Sequence, residues 1–293
     1  PMHAPSPSPP FEAPLKRSAA GLSAATRASH LAAAGDLGRG AAQADARFTL
    51  GAPDLDAWLG GGLVRAGVHE AFAASGGDQP AAVGFALAAL ARAAAGPSPG
   101  LRPLVWVRHD ALEAEAGRPY GPGLADWGLD PRRLLFVRAR TVADALRAAG
   151  EAARLTSLGG VLLEVWGEDK RLDLTVSRRL ALRAEAAGTP VFFVRAGAAP
   201  APSAAASRWR VRAAPSVPLS AQAPGAPAFE VEVLRRRGGS AGGPWRLEWS
   251  RDDAAFRPLA AAAPSFGAVA AVSTDRPFRD RPGEEGPARR RAS

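Results

Sequence analysis

The chain has 293 residues, 47% of them hydrophobic, a formal net charge of +9 and no cysteine. That length holds one large domain with flexible ends or two small ones, and the first is the expectation; the missing cysteine removes disulfides, thiolate nucleophiles and cysteine-ligated zinc. No apolar run reaches the roughly 18 residues of a membrane span, and the proline-broken start PMHAPSPSPPFEAP lacks the apolar stretch of a secretory signal, so a cytoplasmic protein without membrane contact is expected.

In chain order, residues 1–48 are rich in Ala, Ser, Pro and Gly with little apolar periodicity, which predicts a flexible segment with at most a loose helix around 21–34. Residues 49–258 read as one α/β domain. GVHEAFA (67–73) is a strand, followed by an alanine-leucine helix near Ala81–Ala95 that Gly96 and Pro97 stop. PLVWVR (103–108) and LLFVRA (134–139) are further strands, and Thr141 is placed to N-cap a helix over Val142–Leu155. GGVLLEVWG (159–167) is nearly continuous apolar sequence, the mark of a strand buried on both faces. A helix over Leu172–Ala187 ends at Gly188, and TPVFFVR (189–195) returns as a buried strand. This alternation implies right-handed crossovers and a mainly parallel sheet.

After Pro200 the rhythm changes. SRWRVRA (207–213), FEVEVLRRR (229–237) and PWRLEWS (244–250) follow one another without helices, so an antiparallel extension of the same sheet is expected. Residues 259–293, ending in ARRRAS, read as a second flexible tail. Residues 201–273 hold nine basic and five acidic side chains, whereas 49–200 hold seventeen and sixteen. The excess charge is arginine in the C-terminal third. It reads either as a surface for an anionic partner or as a bias toward Ala, Gly, Pro and Arg.

The segment HEAFAASGGDQPAA has the strand, glycine loop and helix order of a phosphate-binding loop. In an active loop, glycines let backbone N–H groups curl round phosphate, a lysine reaches the terminal phosphates and a hydroxyl helps hold magnesium. Laid on Ala73–Pro80, the pattern G-x-x-x-x-G-K-[ST] finds Ala73 and Asp78 for the glycines, Gln79 for the lysine and Pro80 for the hydroxyl residue. Asp78 would set a carboxylate where a polyanion should lie, and Pro80 has no N–H to give. Glu164, taken as the end of its strand, reads either as a magnesium-organising carboxylate or as one hydrogen-bonded to a neighbouring loop. His69–Glu70 and His109–Asp110 are adjacent pairs whose side chains leave a strand on opposite faces, so each His reads as a strand-end residue with one hydrogen bond. No catalytic residue, cofactor or metal is expected, and G-x-S-x-G and H-E-x-x-H are absent.

LGAPDLDAWLGGGLVRAGVHEAF resembles the entry to the core of RecA-like recombinases, and GLADWGLDPRRLLFVRARTVADALRAAGEAARLTSLGGVLLEVWG resembles the next two units of that fold. The H-E after the glycine turn, the G-L-D-P-x-R-L-L stretch, the R-W-R-V strand and the hairpin Arg235–Trp249 are similar to the ImuA family, over roughly 48–258. The resemblance implies a RecA-like P-loop-type core. It also implies a noncatalytic adaptor in SOS mutagenesis, acting with an ImuB-type Y-family polymerase homologue and an error-prone C-family polymerase in translesion synthesis, with RecA as a further partner and a nucleoid location after damage. Where RecA-like ATPases carry a water-activating glutamate, this chain has Arg108; Glu164 alone keeps its character.

Arg208, Arg210, Arg212, Arg235, Arg236, Arg237, Trp245 and Arg246, beside Trp209 and Trp249, are the candidate partner or single-stranded DNA surface, since Arg and Trp suit both roles. The other reading puts the tryptophans inward and solvated arginines outside. DNA binding is expected to be weak and salt-sensitive. Two further functions stay open: an ATPase with a divergent loop, resting on Glu164, and a SulA-like inhibitor of cell division.

Overall fold

The computed structural model describes residues 46–95 and 102–259; the readings made for the two tails fall outside the described residues, apart from the short stretch joining each to the domain. Nine strands form one sheet in the order β11-β10-β9-β8-β3-β7-β6-β4-β5. The parallel part is β5 (Leu134–Ala139), β4 (Leu104–His109), β6 (Gly160–Trp166), β7 (Val191–Ala196), β3 (Val68–Ala73) and β8 (Ser207–Ala213). The antiparallel part is β9 (Ala228–Arg236), β10 (Gly242–Ser250) and β11 (Ala255–Pro258). The α/β class, the mainly parallel core and the antiparallel C-terminal extension all stand as expected.

The parallel strands sit between helices because their side chains are apolar on both faces. On one face lies α2 (Gln79–Ala94), packed on β3, β6, β7 and β8. Its buried residues are largely alanine, which lets the helix axis approach the sheet closely. Gly160, at the start of β6, takes up the tightest point: a Cβ there would lie 2.3 Å from Leu90 Cδ2. On the other face α5 (Val142–Ala152) covers β4, β5 and β6, and α6 (Leu174–Ala187) packs on β3. Thr141 caps α5 as expected, accepting from Asp144 N at 3.1 Å. Asp173 caps α6 from Val176 N at 2.8 Å, so that helix starts two residues later than the periodicity suggests. Conversely, α2 begins before Ala81, because the fixed φ of Pro80 suits a first helical turn.

The extension is covered on one face only. Trp209, Val211, Phe229, Val231, Val233, Leu247, Trp249 and Phe256 are buried with α2, around Phe85, whose ring lies 5.3 Å from both Trp209 and Phe256. Intervening residues face outward, the alternation a half-covered antiparallel sheet requires. Short elements escape the sequence reading: β1 (Arg47–Phe48) with β2 (Leu63–Val64), the helices α1 (Pro53–Trp58), α3 (Ala111–Ala116) and α4 (Gly121–Asp126), and β11. None is long enough to show a period. Among the described residues no helix is long and apolar enough to cross a membrane.

Candidate functional site

The loop from β3 to α2 is tied down by its own polar groups. Ala73 ends β3, Ala74 N donates to Val211 O at 2.8 Å, and Gly76–Asp78 form one 3-10 turn. The Ser75 hydroxyl donates to Asp78 Oδ2 at 2.7 Å, and Ala213 N donates to Asp78 Oδ1 at 2.9 Å. Burial works against the Asp78 charge, but these bonds and nearby Arg212 hold its carboxyl below the usual value. Asp78 Oδ1 therefore fastens the loop to the end of β8, while Oδ2 holds the loop together through Ser75. Asp78→Ala would leave the Ala213 N–H without its acceptor and is expected to cost about 1–3 kcal/mol; a urea midpoint equal to that of the unaltered chain would contradict the assignment.

Glu164 is interior to β6 rather than at its end, and its partners are side chains of the neighbouring strand rather than a loop. Its Oε2 accepts from Arg108 Nε at 3.0 Å and from Trp106 Nε1 at 3.1 Å. Arg108 also donates to Leu112 O at 3.1 Å and Gly117 O at 2.5 Å, so the cation is anchored on three sides. Burial pushes the Glu164 carboxyl above the ordinary range, against the pull of Arg108 and Trp106. Arg108 is thus the buried counter-ion of Glu164. Gln79 is buried beside this pair, and neither amide atom makes a hydrogen bond of normal geometry.

His69 and Glu70 are mid-strand and fully buried, which corrects the strand-end reading. They do leave β3 on opposite faces. His69 Nε2 lies 2.9 Å from Val64 O and Nδ1 lies 2.7 Å from Ser207 Oγ. Val64 O only accepts, so Nε2 carries the proton; Nδ1 accepts from Ser207, whose oxygen accepts from Trp209 Nε1 at 2.7 Å. Desolvation lowers the imidazole pKa to about 4, and it is neutral in the folded chain. Glu70 Oε2 accepts from Arg208 at 2.9 Å and Ser203 at 2.8 Å. His109 closes β4, half-buried, with Nδ1 unbonded.

The arginine candidates divide by strand alternation. Arg210 pairs with Glu232 at 2.7 Å, while Arg212 and Arg246 share Glu230 at 3.5 and 3.2 Å, on the outer face. Arg237 is exposed and meets Glu185 at 3.0 Å, and Arg235 reaches Ala205 O at 3.3 Å. Arg208 is taken inward by Glu70, with 12% of its side chain exposed, so it is withdrawn from any contact surface. Arg236 is likewise occupied, its guanidinium 4.3 Å from the centre of the Trp58 ring. Trp245 packs against Trp58 at 4.9 Å on the core side, and Trp209 and Trp249 are buried. Indoles and arginines of the extension therefore lie mostly on opposite faces, because neighbours on a strand must.

No protein-family model matches the chain. It is similar to two curated proteins, each named Protein ImuA, from Caulobacter vibrioides strain NA1000 / CB15N and strain ATCC 19089 / CIP 103742 / CB 15; each is 35% identical over 214 residues, 69% of this chain and 82% of the relative. Among solved structures it is similar to the crystal structure of the RadB recombinase, with 13% identity and a TM-score of 0.46 over 72% of this chain and 99% of that one.

Proposed function

The chain belongs to the ImuA family, and from that membership we propose that it is a noncatalytic adaptor in damage-inducible mutagenesis, joining an ImuB-type polymerase homologue to an error-prone C-family polymerase. The observation that carries the noncatalytic part is the loop: Asp78 is spent on Ser75 and Ala213, and Gln79 stands where a lysine would meet phosphate. An anion placed there would meet a carboxylate and a helix start without the Pro80 N–H.

For the partner surface we propose the outward arginines Arg210, Arg212 and Arg246, with Arg235 and Arg237 at its margin. The first three stand on β8 and β10, either side of the β9 strand that carries Glu230 and Glu232, and each is about half exposed or more. Their ion pairs with Glu230 and Glu232 are surface pairs of small net worth, roughly 0–1 kcal/mol, so an acidic partner competes for them at little cost. The same row supports weak binding of single-stranded DNA, falling steeply with salt.

Co-purification with an ImuB-type partner is expected to survive Gln79→Ala and to weaken at least tenfold when Arg210, Arg212 and Arg246 are all replaced by alanine, with melting temperature unchanged. Unaltered capture by the triple variant would remove this surface. Magnesium-dependent ATP turnover lost in Glu164→Gln would overturn the noncatalytic reading.

A further inference from the structure

The cavity between the start of α2 and the short helices α3 and α4 has a volume of about 270 Å³. It opens beside the C-terminal ends of the parallel strands, the side on which open α/β sheets hold ligands. Its walls are Val83, Leu87, Leu124, Tyr120, Trp106 and Trp127, and Gln79, Arg108, Arg118 and Glu164 form its polar part. Gly84 shapes the wall: a Cβ there would meet Trp127 Cη2 at 2.5 Å, so the indole lies directly on the backbone of α2.

Two features define what fits. The charges are already matched: Arg108 is bound by Glu164 and by two carbonyls, and Arg118, on the same lining, is paired with Glu113, so the interior of the cavity holds no uncommitted cation for a phosphate. Gln79, only 6% exposed, lies close enough to Glu164 to help hold its charge, yet neither its amide nitrogen, which has two hydrogens to give, nor its oxygen makes a hydrogen bond of normal geometry. A buried amide left so is unfavourable, and a ligand with the complementary donor and acceptor recovers that loss. Aromatic walls favour a flat ring over a simple side-chain amide, which would leave most of the open surface of Tyr120 and Trp127 uncovered.

We propose that this cavity binds a neutral nucleobase, stacked against Tyr120 and Trp127 and hydrogen-bonded along one edge by the Gln79 amide. Glutamine pairs in this bidentate way with adenine, which offers an adjacent donor and acceptor, and rings on tryptophan are held without need of charge. The base comes either from a free nucleoside or from an unpaired position of a single strand. The inference does not depend on the adaptor reading: a nucleobase site and a partner surface lie on different parts of the chain and fail separately.

The test is tryptophan fluorescence of the full chain titrated with adenosine, guanosine, cytidine and thymidine, and with short single-stranded oligonucleotides of each base. Saturable quenching by at least one probe is expected, weakened tenfold or more in Gln79→Leu, whose melting temperature should equal or exceed that of the unaltered chain. Val83→Phe, which narrows the cavity from its half-buried wall, should weaken binding as well. Quenching by nucleosides alone marks a small-molecule source, and quenching by oligonucleotides that Gln79→Leu abolishes marks a strand. No saturable quenching by any probe, or quenching that Gln79→Leu and Val83→Phe leave unchanged, would overturn the proposal.

Discussion

Arg108→Met is expected to lower stability by about 3–5 kcal/mol, because it leaves the Glu164 carboxylate buried without its counter-ion. Glu164 is 1% exposed and keeps the Trp106 indole, with the Gln79 amide beside it, but no cation. The carbonyls of Leu112 and Gly117 lose their donor at the same time, so the turn after β4 loosens and α3 loses an anchor. Glu164→Leu added to Arg108→Met removes the stranded charge and should restore part of the loss, since a buried pair is often neutral in exchange for well-packed apolar groups. Urea unfolding of the single and double variants measures the coupling. A single variant within about 1 kcal/mol of the unaltered chain, or a double variant worse than the single, would show that the pair is not the local determinant of stability.

Stability should also fall by roughly 3 kcal/mol between pH 6.5 and 4 through His69 alone, at about 1.4 kcal/mol per pH unit. The folded imidazole has its pKa lowered to about 4 from 6.5. Between those values the unfolded chain binds a proton that the folded chain refuses, so acid favours unfolding; below about 4 both states hold it and the contribution is flat. Protonation would place a second proton at Nδ1, against the Ser207 hydroxyl that now donates there. Glu164 acts with the opposite sign, since a carboxyl held above its ordinary range gains folded stability as pH falls. Asp78 adds a loss only at lower pH, below the ordinary aspartate range. His69→Gln, which keeps a donor for Val64 O but cannot titrate, should flatten the profile between pH 6.5 and 4. An unchanged slope in that variant would show that another group sets it.

Long elements were legible because their periods are. GGVLLEVWG announced a strand buried on both faces, Thr141 announced a helix start, and the alternation in 207–250 announced one covered face. That alternation also separates the tryptophans from the arginines, and the choice between a mixed Arg–Trp surface and inward tryptophans needed only the answer to which face carries α2. Arg208 and Arg236 were not legible as inward residues, since nothing near them in sequence names Glu70 or Trp58 as partners. The bulge between Arg208 and Trp209, which changes the pairing with β9, is equally silent in a list of residues.

By itself the sequence determined the class of the fold, the parallel core with its antiparallel extension and a loop over Ala73–Pro80 with no lysine in it, because these depend on local pattern and residue chemistry. Only the tertiary structure decided what Asp78 and Gln79 of that loop touch. Asp78 and Ala213 are bonded across 135 positions, Glu164 and Arg108 across 56, and His69 and Ser207 across 138. A hydrogen bond at such separations is set by strand order and register, and a period of two or of three and six-tenths carries neither.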